Sequence, residues 1–212
     1  MKTSLLFLII APLSFWRGAG GEVLAQNLVP NYSFEEYWKC PDNENQIKYA
    51  TGWKSYYASP EYFNACAGAN VAVSVPNNLY GSYQPSISGN GYGGFYAYWS
   101  PISGNGAINL REHIGRPLTS PLAVGTKYFV SLKVSLAANG FSAVCATNNI
   151  GIKFSTVPYD IYANSDSSSP LVNNFAHIYT TSLITDTVNW TTISGSFVAD
   201  SAYKYLTIAN FF

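Results

Sequence analysis

The sequence predicts an all-β sandwich, and three observations support this prediction. Several segments alternate apolar and polar residues with a period of two, which is typical of strands with one buried face. Clusters of Gly, Asn, Pro and Ser, such as Ser-Gly-Asn-Gly at 103–106, separate these segments at short intervals. The sequence shows no helical period longer than about two turns. Many short strands between turns favour a sandwich or a barrel.

Six strands can be predicted from these patterns. They lie at 91–99, 107–118, 127–137, 149–156, 190–199 and 204–210. The clearest is 127–137, where every second residue from Tyr128 to Leu136 is apolar and Ser131, Lys133 and Ser135 stand between them. We therefore expect this strand to bury one face and to expose the other to water.

The first 25 residues predict a secretory signal peptide. Lys2 gives a short basic start, and the apolar run at 5–10 is too short to span a bilayer, which needs about 20 apolar residues. Small or modest side chains before Ala25 suit a signal peptidase, so we expect cleavage there, with Ala19 as the alternative. A buried N-terminal helix is the other interpretation of the run. Residues 26–212 would then form one domain without a membrane-spanning segment, secreted or held at the outer cell surface.

The composition excludes several classes of function. The chain is 16% aromatic and only 10% charged, with 11 basic and 11 acidic residues. Nucleic-acid binding requires a clustered basic face, and this balanced charge does not supply one. A content of 48% hydrophobic residues also argues against a disordered chain.

Three cysteines are present, and an exported chain permits a disulfide. Cys40 and Cys66 flank a polar, turn-rich segment and are predicted to pair. Cys145 is then left over and is interpreted as a buried thiol, since free cysteine packs as a small hydrophobe. The spacing matches no zinc pattern, and only His113 and His177 could add imidazole ligands.

Several segments of the chain together form a recognisable pattern: Asn-Leu-Val-Pro-Asn-Tyr-Ser-Phe-Glu at 27–35, Gly-Trp at 52–53, the strand pattern at 121–132, and Trp-Thr-Thr-Ile-Ser-Gly-Ser-Phe at 190–197. This pattern resembles jelly-roll carbohydrate-binding modules with a galactose-binding-like fold. The resemblance implies that 27–35 is the opening strand, and that Trp53 and Trp190 are core residues.

A narrower resemblance is to extracellular sandwich domains of surface proteins in Bacteroidetes-type bacteria. The matching motifs occur in the same order, at 33–37, 40–41, 60–66 and 75–78. Members of that group often precede a peptidoglycan-binding OmpA-type domain or a type IX secretion sorting tail. The resemblance therefore implies a module from a larger envelope protein.

The chain departs from this group at its end. The fold usually closes with a Tyr-x-Asp-Asp-Val strand, which often donates an Asp to a structural calcium, and this strand is not found here. We therefore expect a C-terminally truncated domain that lacks its last strand. Glu35 would be the matching calcium ligand from the first strand, so the sequence would provide at most half of the ligands of such a site. No other cofactor is expected.

The sequence gives only weak evidence for a set of residues that could act together in catalysis. A glycoside hydrolase needs two carboxyl groups that flank the bond, and Glu35, Glu36, Glu61 and Glu112 are the candidates. The first two are adjacent and would point to opposite faces of a strand, and Glu112 is interpreted as part of a cross-strand salt bridge or a solvated face. No Gly-x-Ser-x-Gly elbow and no phosphate loop is present. The protein is therefore predicted not to be an enzyme, with no catalytic residues.

Aromatic residues are the most suggestive functional signal. The regions 56–83 and 159–175 are rich in Asn, Pro and Ser, and we expect them to be surface loops, where binding residues usually lie. Aromatic rings pack on the apolar faces of sugars, and amides bond their hydroxyls. The alternative is that the rings only fill and flank the core. The residues predicted to contact a ligand are Tyr56, Tyr57, Asn77, Asn78, Tyr80, Tyr83 and Trp99.

Three functions follow as hypotheses. The first is a non-catalytic module that binds carbohydrate or a surface glycan. The second is a structural or adhesive module of a larger envelope protein, with protein contacts only. The third is a hydrolase, which would require a second carboxylate that converges on Glu112 in a cleft.

Overall fold

The fold is all-β. A computed structural model describes residues 26–98, 110–137, 145–159 and 176–211, together with the backbone of 4–9. The strands are β1 (Ser4–Ile9), β2 (Lys54–Tyr57), β3 (Glu61–Asn64), β4 (Asn77–Asn78), β5 (Ser82–Tyr83), β6 (Gly91–Tyr98), β7 (His113–Pro117), β8 (Lys127–Leu136), β9 (Ile150–Ser155), β10 (Ile178–Tyr179), β11 (Thr191–Val198) and β12 (Tyr205–Asn210). A single-turn 3-10 helix, Ile47–Tyr49, precedes β2.

Most of the strands form two antiparallel sheets. In the described part of the chain the first sheet has the order β11-β8-β1-β6-β3, and the second has the order β10-β9-β12-β7-β2. A small separate hairpin joins β4 to β5. Side chains from both large sheets meet in one hydrophobic core, as in a β-sandwich, for example Leu132 and Phe95 from the first and Ile152 and Ile208 from the second.

A second, smaller core covers the outer face of the first sheet. Phe63 and Tyr92 belong to it, and their rings stack at 5.0 Å between centroids. Their neighbours in sequence on the other face, such as Tyr62, belong to the main core. Tyr80, from the turn between β4 and β5, closes this cluster from outside. The first sheet is therefore buried on both faces near β3 and β6, and all four residues of β3 are buried.

The predicted strands at 91–99, 127–137, 149–156, 190–199 and 204–210 are confirmed, with ends shifted by at most one residue. The prediction at 107–118 narrows to His113–Pro117, and residues 107–109 lie outside the described part of the chain. The prediction that 56–83 is a surface loop is wrong, because β3 lies within it and is buried. Most of the other predicted loop, 159–175, is likewise not described.

The prediction that β8 exposes one of its faces to water is also wrong for the second half of the strand. Ser131 and Ser135 are both buried, and the Ser135 hydroxyl donates a hydrogen bond to Gln84 Oε1 at 3.0 Å. The chain that follows β5 lies over this face and supplies the partner. A small hydroxyl can be buried at this position because its hydrogen bond is satisfied.

The segment implied as an opening strand, 27–35, is instead a series of turns. Asn31 and Phe34 both have positive φ angles, of 43° and 63°. The segment is anchored by Trp53, whose ring stacks on Phe34 at 4.4 Å and whose indole N–H donates to the Asn31 carbonyl at 2.9 Å. Trp53 is a buried core residue, as expected, whereas Trp190 is only half-buried against the second core.

Ser4–Ile9 lies as a strand at the centre of the first sheet. The alternative interpretation of this run as a helix is therefore wrong. That residues 1–25 form a cleaved signal peptide stays a prediction. Within the described residues, no helix is long and apolar enough to cross a membrane.

The predicted disulfide is confirmed. Cys40 and Cys66 are bonded, with their Cα atoms 5.8 Å apart and 26 positions separating them in sequence. The bond joins the turn-rich segment before β2 to the chain that leaves β3. The interpretation of Cys145 as a buried thiol is wrong, since this residue lies exposed.

Candidate functional site

The β4–β5 hairpin forms the wall of a groove on the outside of the first sheet. Asn78 shapes the hairpin turn, because its Oδ1 atom accepts hydrogen bonds from the backbone N–H groups of Tyr80 and Gly81 at 3.0 and 2.6 Å. Its Nδ2 atom donates to the Tyr92 hydroxyl at 3.2 Å, which ties the hairpin to the second core. The hairpin is therefore held on the sheet by a side chain that was predicted to bind ligand.

The groove has a volume of about 310 Å³. Three asparagines and four apolar residues line it: Asn70, Asn77 and Asn78, with Ala69, Val71, Ala72 and Leu79. In the described structure, the side-chain amides of Asn70 and Asn77 make no hydrogen bond to the protein. Each amide offers both donors and an acceptor to a polar ligand.

Tyr83 lies on the hairpin that borders this groove, although it is not among the residues that line the groove. It pairs with Asn77 across the hairpin, and residues opposite each other on paired strands place their side chains on the same face. Its side chain is 63% exposed, so the ring is open to solvent. The structure therefore brings together three of the residues predicted from sequence: Asn77, Asn78 and Tyr83.

The other predicted ligand residues lie elsewhere. Tyr56 is buried beneath β7, so close that a Cβ added at Gly115 would lie 2.0 Å from its ring. Tyr80 is buried under the hairpin. Tyr57 is half-buried on the second sheet, where its ring lies 5.8 Å from that of His113. Trp99 lies outside the described residues. Buried rings cannot offer a face to a sugar, so Tyr56 and Tyr80 do not contribute to this surface.

Glu61 and Glu112, two of the four candidate carboxyl groups, form a buried pair that the sequence did not predict. Glu112 is 1% exposed: Oε1 accepts hydrogen bonds from the Ser59 N–H and hydroxyl at 3.0 Å, and Oε2 accepts one from the Tyr96 N–H at 2.8 Å. The interpretation of Glu112 as part of a surface salt bridge or a solvated face is therefore wrong. Backbone donors at the entrance to β3 and along β6 satisfy it instead.

Glu61 is the second member of the pair. It is 2% exposed, and its Oε1 atom accepts a hydrogen bond from the Tyr80 hydroxyl at 3.3 Å. Its Oε2 atom has no hydrogen-bond partner among the described residues. Burial raises the pKa of Glu61 to about 9, with a further contribution from the nearby charge of Glu112, and burial raises the pKa of Glu112 to about 7. The pair therefore retains a proton at neutral pH.

This convergence does not produce a catalytic cleft. Both carboxyl groups are almost completely buried, and both oxygens of Glu112 are occupied by donors from the protein. A substrate could not reach them in this conformation. No local sequence signal predicts the pair, because its members stand 51 positions apart and come together only through the pairing of β3 with β6.

Glu35 holds the turn that leads into β6. Its carboxylate accepts hydrogen bonds from the N–H groups of Asn90 and Gly91, at 2.9–3.0 Å. Calcium needs six to eight oxygen ligands, roughly, and the described residues contain no group of three or more His, Cys, Asp or Glu side chains that could hold a metal. Calcium at Glu35 stays a prediction that these contacts do not support.

A second groove, of about 440 Å³, lies at the edge of the other sheet. Phe154, His177 and Tyr203 contribute rings to it, and Lys153 a charge. The Nδ1 atom of His177 accepts a hydrogen bond from the Phe154 N–H at 3.1 Å, which holds the imidazole against the strand. None of the described residues that were predicted to bind ligand lines this groove.

Comparison with known protein families, characterised proteins and solved structures finds no match to this chain. The resemblance to carbohydrate-binding jelly rolls and to Bacteroidetes-type surface domains therefore stays an expectation.

Proposed function

We propose that this protein is an exported, non-catalytic jelly-roll module that binds carbohydrate in the groove beside the β4–β5 hairpin. One observation supports this most strongly. The groove combines the unpaired amides of Asn70 and Asn77 with an apolar floor, and the exposed ring of Tyr83 lies on the same face of the hairpin as Asn77. Export is supported by the Cys40–Cys66 disulfide, which forms and persists in oxidising compartments.

The chemistry of the groove suits a sugar. Sugar hydroxyls both donate and accept hydrogen bonds, and primary amides match them in both respects. The C–H faces of a sugar ring pack on flat aromatic rings and on small apolar side chains, which Tyr83, Val71 and Leu79 provide. Among the described residues, no charged side chain lines the groove, so a neutral glycan fits better than an anionic one.

The size of the groove limits the ligand. Its volume of about 310 Å³ is at the lower end of the range for small-molecule sites, roughly 300–1,000 Å³. We therefore expect it to hold a short glycan or the end of a longer one, with modest affinity.

The experiment is a glycan-array screen of the protein recovered from an exporting bacterial host, followed by calorimetry with the strongest ligand. We expect Tyr83→Ala to weaken binding about tenfold, because an aromatic contact is worth roughly 1 kcal/mol or somewhat more. Tyr179→Ala is the matched control, since Tyr179 is a 42% exposed tyrosine on the second sheet.

The possible results separate the functions. Binding that Tyr83→Ala weakens and Tyr179→Ala leaves unchanged supports the proposal. Binding that neither substitution changes would place the glycan site elsewhere on the molecule. A folded protein that binds no glycan would favour the structural or adhesive module with protein contacts only.

A further inference from the structure

β1 has a special place in the first sheet, because it separates two strands that do not pair with each other. It is antiparallel to both β6 and β8, with Leu6 in register with Phe95 on one side and with Leu136 on the other. β6 pairs with β3 along its other edge, and β8 pairs with β11. Within the described chain, Ser4–Ile9 is thus the strand that joins the two halves of this sheet.

Removal of residues 1–25 would open this position. The edges of β6 and β8 would then face each other across a gap of one strand, with their backbone N–H and C=O groups unpaired. Such groups are costly to leave unsatisfied in a buried region. Direct closure is unfavourable as well, because β6 and β8 both run antiparallel to β1 and would have to pair in parallel, unlike every other described pair.

The neighbours of the position define what can fill it. The main core lies on one side of the sheet and the second core on the other, and Phe95, Val134 and Ser135 beside the position are completely buried. A strand that is buried on both faces needs apolar residues in succession rather than in alternation. The run Leu-Leu-Phe-Leu-Ile at 5–9 has this pattern. On the β6 side it is in register with Gly93 and Gly94.

We propose that the position between β6 and β8 is a strand-acceptor site. After cleavage of residues 1–25, it takes an extended apolar polypeptide segment of about six residues from outside 26–212, which pairs antiparallel to both strands. This inference rests on the export and leader cleavage in the proposed function, but not on glycan binding. Backbone hydrogen bonds would provide affinity, and the two cores would select apolar side chains.

The test begins with the full chain expressed in an exporting bacterial host and with an intact-mass measurement of the recovered protein. A synthetic peptide with the Ser4–Ile9 sequence and flanking lysines is then added. The control peptide has the same sequence with N-methyl groups at alternate residues, which removes backbone donors and keeps the side chains. Hydrogen–deuterium exchange is followed in β6 and β8, with the exposed edge strand β10 as an internal reference.

We expect a mass that corresponds to loss of the leader, rapid exchange at those amides within 93–95 and 133–135 that face the open position, and about tenfold slower exchange there with the peptide but not with the N-methylated control. A retained leader would overturn the proposal, because β1 would then fill the position permanently. Slow exchange without peptide would also overturn it, and concentration-dependent protection would assign the position to a second copy. Glycan binding is measured separately, so the two proposals can fail independently.

Discussion

Substitution of Glu61 by glutamine should remove the Glu61 contribution to the pH dependence of stability above pH 4.5 and should leave the contribution of Glu112, whose pKa burial also raises. Burial raises the pKa of Glu61 from 4.5 to about 9, so the folded protein favours the neutral carboxyl group. The stabilisation from a raised pKa is complete below 4.5 and is lost as the pH rises through about 9. As the pH rises from 4.5 to 7, Glu61 ionises in the unfolded chain but not in the folded protein, and this difference should lower the free energy of unfolding by roughly 3 kcal/mol.

The glutamine side chain is neutral at every pH and nearly the same size. Glu61→Gln should therefore lose much less stability than the wild type between pH 4.5 and 7, and it should be the more stable protein at pH 7. Glu36→Gln is the matched control, because it removes the same charge from an exposed side chain. Urea unfolding monitored by tryptophan fluorescence, at both pH values, measures the difference.

Comparison of variants cancels the opposite contributions from carboxylates such as Asp186 and Asp200, whose pKa values are lowered by hydrogen bonds. If the wild type and Glu61→Gln lost the same amount of stability between pH 4.5 and 7, the claim that Glu61 is protonated in the folded protein would be refuted. Equal changes for Glu61→Gln and Glu36→Gln would refute it as well.

Two further substitutions test the packing and the disulfide. Gly115→Ala should lower the free energy of unfolding by roughly 1–3 kcal/mol, because the added Cβ would lie 2.0 Å from the ring of Tyr56. Gly68→Ala is the control, since its added Cβ would make only ordinary contacts and should change the stability little. Thermal unfolding of both variants measures the difference, and equal midpoints would contradict the close approach of Tyr56 to Gly115. Reduction of the Cys40–Cys66 bond should lower the free energy of unfolding by about 3 kcal/mol, because the unfolded chain gains conformational entropy when the cross-link is removed. Urea unfolding with and without reductant measures this change. A Cys40→Ser/Cys66→Ser variant is the control and should not respond to the reductant.

The strands with an alternating sequence were predictable, whether or not both of their faces are buried. The segments at 149–156 and 204–210 alternate apolar and polar residues and appear in the structure as β9 and β12, although β12 is buried along almost its whole length. β3 was not predicted, because its Glu and Asn side chains suggest a loop, although all four of its residues are buried. Its burial depends on the hairpin that covers it, which local patterns do not reveal.

The candidate site was predicted in part for a similar reason. Asn77, Asn78 and Tyr83 are close in sequence and meet in a short hairpin, so their clustering could be inferred. Tyr56 and Tyr80 have the same composition around them, but the β7 strand and the second core bury them. The Glu61–Glu112 pair depends on contacts between distant strands, and the turns at 27–35 depend on positive φ angles at Asn31 and Phe34.

The most direct measurement for the central claim is an NMR titration of the exported protein, labelled with ¹⁵N, with the glycan that binds best on the array. Binding in the hairpin groove predicts backbone shifts that are largest within 69–83 and that shrink strongly in Tyr83→Ala. Shifts concentrated around His177 and Tyr203, in the second groove, would contradict the account, as would the absence of shifts with every glycan tested.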